Sequence, residues 1–124
     1  MDERIQRALS RGHRIDITTT GRRTGAARRI EIVFHNFGGR LYITGSPSRR
    51  KRAWLLNLEA DPHFTFHLKG SVSADLAATA RIITDEAERR TVLTEVVKVW
   101  DRMDLETMTS YSPLIEVTID EPPV

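Results

Sequence analysis

Hydrophobic and polar positions alternate with the two-residue period of a half-buried strand in six stretches of the chain, and recur at helical spacing in three others. Residues 3–10, "ERIQRALS", set Ile5, Ala8 and Leu9 on one side of a short helix that Gly12 ends. Ile15 and Ile17 alternate with Asp16 and Thr18 in a strand over about 14–20, and Ile30, Ile32 and Phe34 alternate in a second over 28–36. "NFGGR" puts Gly38 and Gly39 where a hairpin turn needs positive φ, and "LYITG" continues as a third strand of the same antiparallel sheet. The period then changes: Trp54, Leu55 and Leu58 recur as on a helix that Ser46 or Ser48 would cap and Pro62 would stop. Phe64, Phe66 and Leu68 mark a fourth strand, "KGS" a turn, and the alternation from Val72 to Ile82 a long fifth. Thr84 is the predicted N-cap of a helix whose buried stripe runs through Val92 or Leu93, Val96 or Val97, Trp100 and Met103, with Asp85, Glu86 and Glu88 near its positive end. A loop over 104–113 leads to a last strand, "LIEVTI", and a Pro-rich end. Six strands, two longer helices and a short one predict an α+β, mainly β fold, a small barrel or strongly curled sheet with helices at its ends. Without repeats or a low-complexity linker, residues 1–124 are expected to form one domain.

Composition removes several chemistries. The chain has no cysteine, which excludes disulfides, thiol catalysis and zinc–thiolate or iron–sulfur sites. The start, "MDERIQRALSRG", is charged throughout and lacks the apolar core of a signal peptide, and no apolar run is long enough to span a bilayer, so a cytoplasmic protein is expected. His13, His35, His63 and His67 are scattered. His63 and His67 are four apart, but on a strand, where they would sit too far apart to share a metal ion easily.

Charge changes the picture more. The net +2 conceals an imbalance: residues 1–52 hold 13 of the 19 Lys and Arg but only Asp2, Glu3, Asp16 and Glu31 among the acids, a balance of +9 against −7 for the rest. Two clusters carry most of it, Arg22, Arg23, Arg28 and Arg29 in and after the loop "TTTGRRTGAARR", and Arg49, Arg50, Lys51 and Arg52 ahead of the helix around Trp54. Glycines let backbone N–H groups approach an anion, arginine offers a planar fork of donors, and a helix N-terminus adds positive potential. Cations at that terminus oppose the helix dipole unless an anion offsets them. The pattern predicts an anion site, set against the simpler reading of a solvated, arginine-rich surface.

"TTTGRRTGAARR", followed by a strand, "GGRLYITG" and "RRKRAWLLNLEADPHFTF", resembles the deazaflavin-dependent nitroreductase and quinone reductase family over about residues 15–68, and "ARIITDEAERRTVL" suits that family's strand-to-helix passage. The resemblance implies a split β-barrel, mostly antiparallel, and an oxidoreductase using the deazaflavin coenzyme F-420. Arg22, Arg23, Thr24 and Arg28, with the loop backbone at Gly25, would contact the phosphate or carboxylates of the cofactor, and Arg50 or Lys51 would reach the same acidic tail from the helix. Trp54 and Asn57 match the family's helix motif; by residue type alone they read equally as a core aromatic and a turn or capping residue. Tyr111 is the candidate proton donor beside the ring, with ordinary aromatic packing as the alternative. The sequence departs from the family where Arg52 replaces a frequent proline and Leu55 a tyrosine.

The implied reaction is hydride transfer to an electron-poor small molecule such as a quinone, an enone or a nitro compound, the cofactor supplying the hydride. Three alternatives stay open on the sequence: a flavin mononucleotide (FMN) enzyme of the same architecture, a non-catalytic cofactor carrier, and a nucleic-acid binder. The last is disfavoured because aromatics are only 6% of residues, too few for a stacking platform. Exposed sheet edges would give a homodimer a route to form.

Overall fold

The computed structural model describes residues 2–100 and 103–120. Ten elements follow in order: α1 (Glu3–Leu9), β1 (Arg14–Thr20), β2 (Ala27–Phe37), β3 (Arg40–Thr44), α2 (Ala53–Ala60), β4 (His63–Leu68), β5 (Ala74–Ile82), α3 (Glu86–Val99), α4 (Leu105–Tyr111) and β6 (Leu114–Ile119). The six strands close into a barrel in the order β1-β2-β3-β6-β5-β4, every pairing antiparallel. Closure gives each strand two neighbours, and the edge open to another chain is reduced to short stretches such as Ala27–Val33 of β2, which pairs with β1 alone.

The alternation read from the sequence is the inward face of the barrel. Ile15, Ile17, Phe34, Ile43, Phe66 and Ile115 are fully buried in one cluster, into which α2 inserts Trp54, Leu55 and Leu58. A second cluster lies under α3 and α4, where Val92, Leu93, Val96 and Met108 pack on Tyr42, Ile83 and Leu114. The β2–β3 turn is two glycines at φ 63° and 89°, the geometry that matches the twist of the paired strands, and Gly39 N donates to Asn36 Oδ1 (2.9 Å).

Several boundaries differ from expectation. Residues 105–111 form a helix, not a loop: Asp104 caps it, accepting from Thr107 N (2.9 Å) and Thr107 Oγ1 (2.6 Å). Asp85, not Thr84, caps α3, through Glu88 N (2.9 Å). Neither Ser46 nor Ser48 caps α2; the N-cap position is Arg52, with no side-chain bond, and Ser48 Oγ instead donates to Arg50 O (2.6 Å). The strand expected from Val72 starts at Ala74, and Trp100 and Met103 pack on the second cluster from beyond the end of α3. The Pro-rich end lies outside the described residues. No helix among the described residues is long and apolar enough to cross a membrane.

Candidate functional site

The loop between β1 and β2 is closed by its own backbone. Gly21 N donates to Ala26 O (2.8 Å), Gly25 N to Gly21 O (2.8 Å), and Ala26 N to Thr24 Oγ1 (3.2 Å). Gly25 sits at φ 74°, in the left-handed region that a side chain would disfavour. Asn57, on α2 and only 3% exposed, holds this loop from below. Its Oδ1 accepts from Arg22 N (3.2 Å) and Arg22 Nη1 (3.3 Å), and its Nδ2 donates to Thr19 Oγ1 (3.0 Å). One buried amide therefore fixes both the end of β1 and the first arginine of the loop against α2.

Two clefts flank α2. The first, of about 340 Å³, is walled by Arg22, Arg23, Thr24 and Arg28 on one side and by Trp54 and Asn57 on the other. The second, of about 450 Å³, lies across the helix, where Arg49, Arg50, Lys51 and Arg52 face Leu55, Ile82, Tyr111 and Pro113. The structure thus divides the predicted site residues. Arg22, Arg23, Thr24, Arg28, Trp54 and Asn57 share one cleft, and Arg50, Lys51 and Tyr111 share the other. Gly25 shapes the turn without lining either. Arg50 and Lys51, expected to reach the same acidic tail from the helix, line the cleft on the other side of α2 from Arg22.

Not every cation is available to a ligand. Arg29 Nε bonds Asp16 Oδ2 (3.0 Å), and Lys51 Nζ pairs with Glu59 (3.0 Å). Among the described residues no carboxylate lies within ion-pair distance of Arg22, Arg23, Arg28, Arg49 or Arg50. Arg52 likewise meets no carboxylate, its Nη2 donating to Ser46 O (3.2 Å), and these six are the charges of the two clusters left for an anion.

Tyr111 ends α4 and is 44% exposed on the wall of the second cleft. Its carbonyl accepts from Ser48 N (3.0 Å), and the Arg49 guanidinium lies 5.6 Å from the centre of its ring. No hydrogen bond engages its hydroxyl among the described residues. The residue behind it, Arg89, was not among those the sequence picked out. Its guanidinium donates to Thr109 O (2.9 Å, from Nε), Ile83 O (3.0 Å, from Nη1), Met108 O (3.3 Å) and Ser112 O (2.6 Å, both from Nη2), fastening α3 to the last turn of α4. Burial pushes this guanidinium below its ordinary pKa without discharging it. Arg89 falls on the buried face that continues through Val92, Leu93 and Val96, and a cation on an apolar stripe is the signal that could have marked it. Beside it Ser112 Oγ is buried with no hydrogen-bond partner among the described residues.

The donor set suits a large anionic cofactor: arginine forks and a glycine-bracketed loop at one cleft, an apolar wall with unengaged hydroxyls at the other. A histidine relay lies apart from both. His67 meets Thr18 Oγ1 through Nε2 (2.6 Å) and Asp75 Oδ1 through Nδ1 (2.7 Å), a tie across β1, β4 and β5 that lines neither cleft.

Known proteins agree with this architecture. A solved F420-H2-dependent reductase is 21% identical, with a TM-score of 0.61 over 85% of this chain and 93% of that one. A conserved hypothetical protein from Mycobacterium tuberculosis gives a TM-score of 0.75 at 14% identity over 98% of this chain and 81% of that one. An FAD-binding protein from Mesorhizobium loti gives 0.64 at 11% identity over 98% and 91%. At such identities these likenesses speak for the fold, a split β-barrel. The family model of the F420H(2)-dependent quinone reductases matches residues 2–122, and the chain therefore belongs to that family of oxidoreductases, whose cofactor is coenzyme F-420.

Proposed function

We propose that the protein reduces an electron-poor small molecule, a quinone, an enone or a nitro compound, with reduced coenzyme F-420. The observation that carries this reading is the pair of clefts flanking α2, both bordered by unpaired arginines, with an apolar wall and Tyr111 in the second. When bound, the coenzyme supplies a hydride, and a proton completes the two-electron reduction of the acceptor. Arg22, Arg23 and Arg28, with Thr24 and the backbone around Gly25, hold the phosphate and the acidic tail, and Asn57 keeps Arg22 in place. Trp54 forms the floor of that cleft. Arg49 and Arg50 extend the positive potential across the N-terminus of α2, and Lys51, already paired with Glu59, contributes less. Leu55, Ile82 and Pro113 offer a planar ring an apolar wall in the second cleft. The Tyr111 hydroxyl, on the wall of that cleft, delivers the proton. No protein nucleophile is required.

The test is a fluorescence titration of the protein with oxidised coenzyme F-420, with FMN in parallel, at low and high salt. The double variant Arg22→Ala, Arg23→Ala is expected to bind the coenzyme at least about tenfold more weakly, since each charge-assisted hydrogen bond is worth about 1.5–3 kcal/mol. Unchanged affinity in that variant would remove the loop from the site. Preference for FMN over the deazaflavin would overturn the cofactor assignment.

A further inference from the structure

The end of the barrel remote from α2 carries a separate set of unassigned groups. Asn57 bonds Thr19 near the end of β1, whereas Arg11 and Gly12 lead into its start. There a pocket of about 380 Å³ opens between Arg11 and the rings of His35, Phe37 and Trp100. Along β2 the step from Arg29, at the α2 end, to Asn36, at this pocket, is about 23 Å at about 3.3 Å per residue. The two sites cannot share one small ligand's ring.

Three features mark this pocket as built to be filled. First, its wall is aromatic: His35 stacks on Phe37 (centroids 5.5 Å apart, 17° between planes) and meets the Trp100 ring edge-on (5.2 Å). Exposed Val99 stands at its mouth. Second, the wall is uncharged: His35 is 6% exposed between the Phe37 and Trp100 rings, with its Nε2 closed off from solvent. Burial also pushes this imidazole below its ordinary pKa, so the ring adds no charge at neutral pH. Third, the rim is cationic. Arg11 also borders a neighbouring groove with Arg4, Arg7 and Lys69, and no carboxylate among the described residues pairs with Arg4, Arg7 or Arg11. Gly12 fixes the position of Arg11, because its backbone presses so closely on β2 that a Cβ would stand 2.2 Å from Phe34 O.

We infer that this end of the barrel binds a small aromatic anion, its ring against Phe37 and Trp100 and its carboxylate or phosphate on Arg11. The site is distinct from the cofactor clefts and independent of the acceptor proposed above. An aryl acetate satisfies both halves, and a bare anion or a bare ring satisfies one.

The chain has two tryptophans, Trp54 at the cofactor loop and Trp100 here, so Trp54→Phe leaves Trp100 as the only one. In that variant, titration with 4-hydroxyphenylacetate is expected to change Trp100 emission saturably. Adding Arg11→Ala, at an exposed position, weakens the apparent affinity at least about tenfold, the loss expected for one charge-assisted contact. Acetate and 4-methylphenol each bind at least about tenfold more weakly than the complete probe, and adding Arg22→Ala leaves the titration unchanged. The inference is overturned by an absence of saturable change, by equal affinity with and without Arg11, by acetate or 4-methylphenol matching the probe, or by sensitivity to Arg22→Ala.

Discussion

Arg89 offers the sharpest test of how the second cleft is held. In α4 the carbonyl of Thr109 would ordinarily accept from the amide four residues on, but that residue is Pro113, which has no N–H. Arg89 Nε takes the vacant role at 2.9 Å, and the same guanidinium serves Ile83 O and Ser112 O. Met108 O already accepts from Ser112 N (2.9 Å), so Arg89→Ala strands three carbonyls. Each stranded buried acceptor costs about 1–3 kcal/mol, and water entering from the adjoining cleft recovers part, leaving a loss of about 3–5 kcal/mol. For a chain of this size that is about 10–20 °C in Tm. Urea unfolding of wild type, Arg89→Ala and Arg89→Lys measures it. Lysine retains the charge but cannot spread donors over carbonyls on α4, at Ile83 and at Ser112, so it should restore less than half of the loss. If Arg89→Ala cost under about 1 kcal/mol, or if lysine substituted fully, the geometric account would be refuted and only the charge, or nothing, would matter.

Further expectations concern other parts of the chain. Asn57→Ala leaves Thr19 Oγ1 and Arg22 N without their buried partner and should cost about 1–3 kcal/mol in urea unfolding, with weaker coenzyme binding because Arg22 is released. Lys69 bonds Asp16 (2.8 Å) and Glu31, and these contacts hold both carboxyls below their ordinary values of 3.8 and 4.5. A depressed folded-state pKa adds stability above the unfolded value and loses it as pH falls through the folded one. Wild type should therefore lose more Tm than Lys69→Met as pH drops below about 4.5, a gap that high salt narrows. Gly12→Ala must move the backbone of β2 and should cost more than about 2 kcal/mol, whereas Gly25→Ala meets nothing within 4 Å and costs about 1–2 kcal/mol through its φ alone; thermal melts compare the two.

The barrel was legible because its strands have one wet and one dry face: Ile15 and Ile17, or Phe64 and Phe66, alternate cleanly and land inside. Helix α4 was not, because "LETMTSY" buries only Met108 and Thr109, and so short a stripe has no visible period. Its signal was the cap, Asp104 three residues before Thr107. The two basic clusters were visible as composition, but their separation by α2 was not, since it depends on which side of one helix each loop crosses. Ala53, Trp54 and Asn57 share one face of α2, and Leu55 and Glu59 share another, a division obscured by a helix that is apolar nearly all round. Arg89 escaped notice because its partners are backbone carbonyls, which leave no mark in a sequence.

The placement of paired and unpaired cations explains how a small barrel carries an anion site without losing its fold. Lys69 ties Asp16 on β1 to Glu31 on β2, and Arg81 ties Glu88 on α3 to Glu116 on β6, so these charges join neighbouring elements along the barrel wall. The cations around α2 do the opposite. Arg22, Arg23, Arg28, Arg49 and Arg50 gather where loops meet a helix N-terminus, and the one side-chain partner that Arg22 finds, Asn57 Oδ1, is neutral. Mutual repulsion and the helix dipole both work against the empty loops. An anion relieves both at once, and whatever binds the folded state alone stabilises it in proportion to the logarithm of its concentration over Kd. The local stability of the β1–β2 loop and the affinity for the cofactor are therefore one free energy seen from two directions. Neutralising a loop arginine should raise the stability of the free protein while lowering the stabilisation that the cofactor confers.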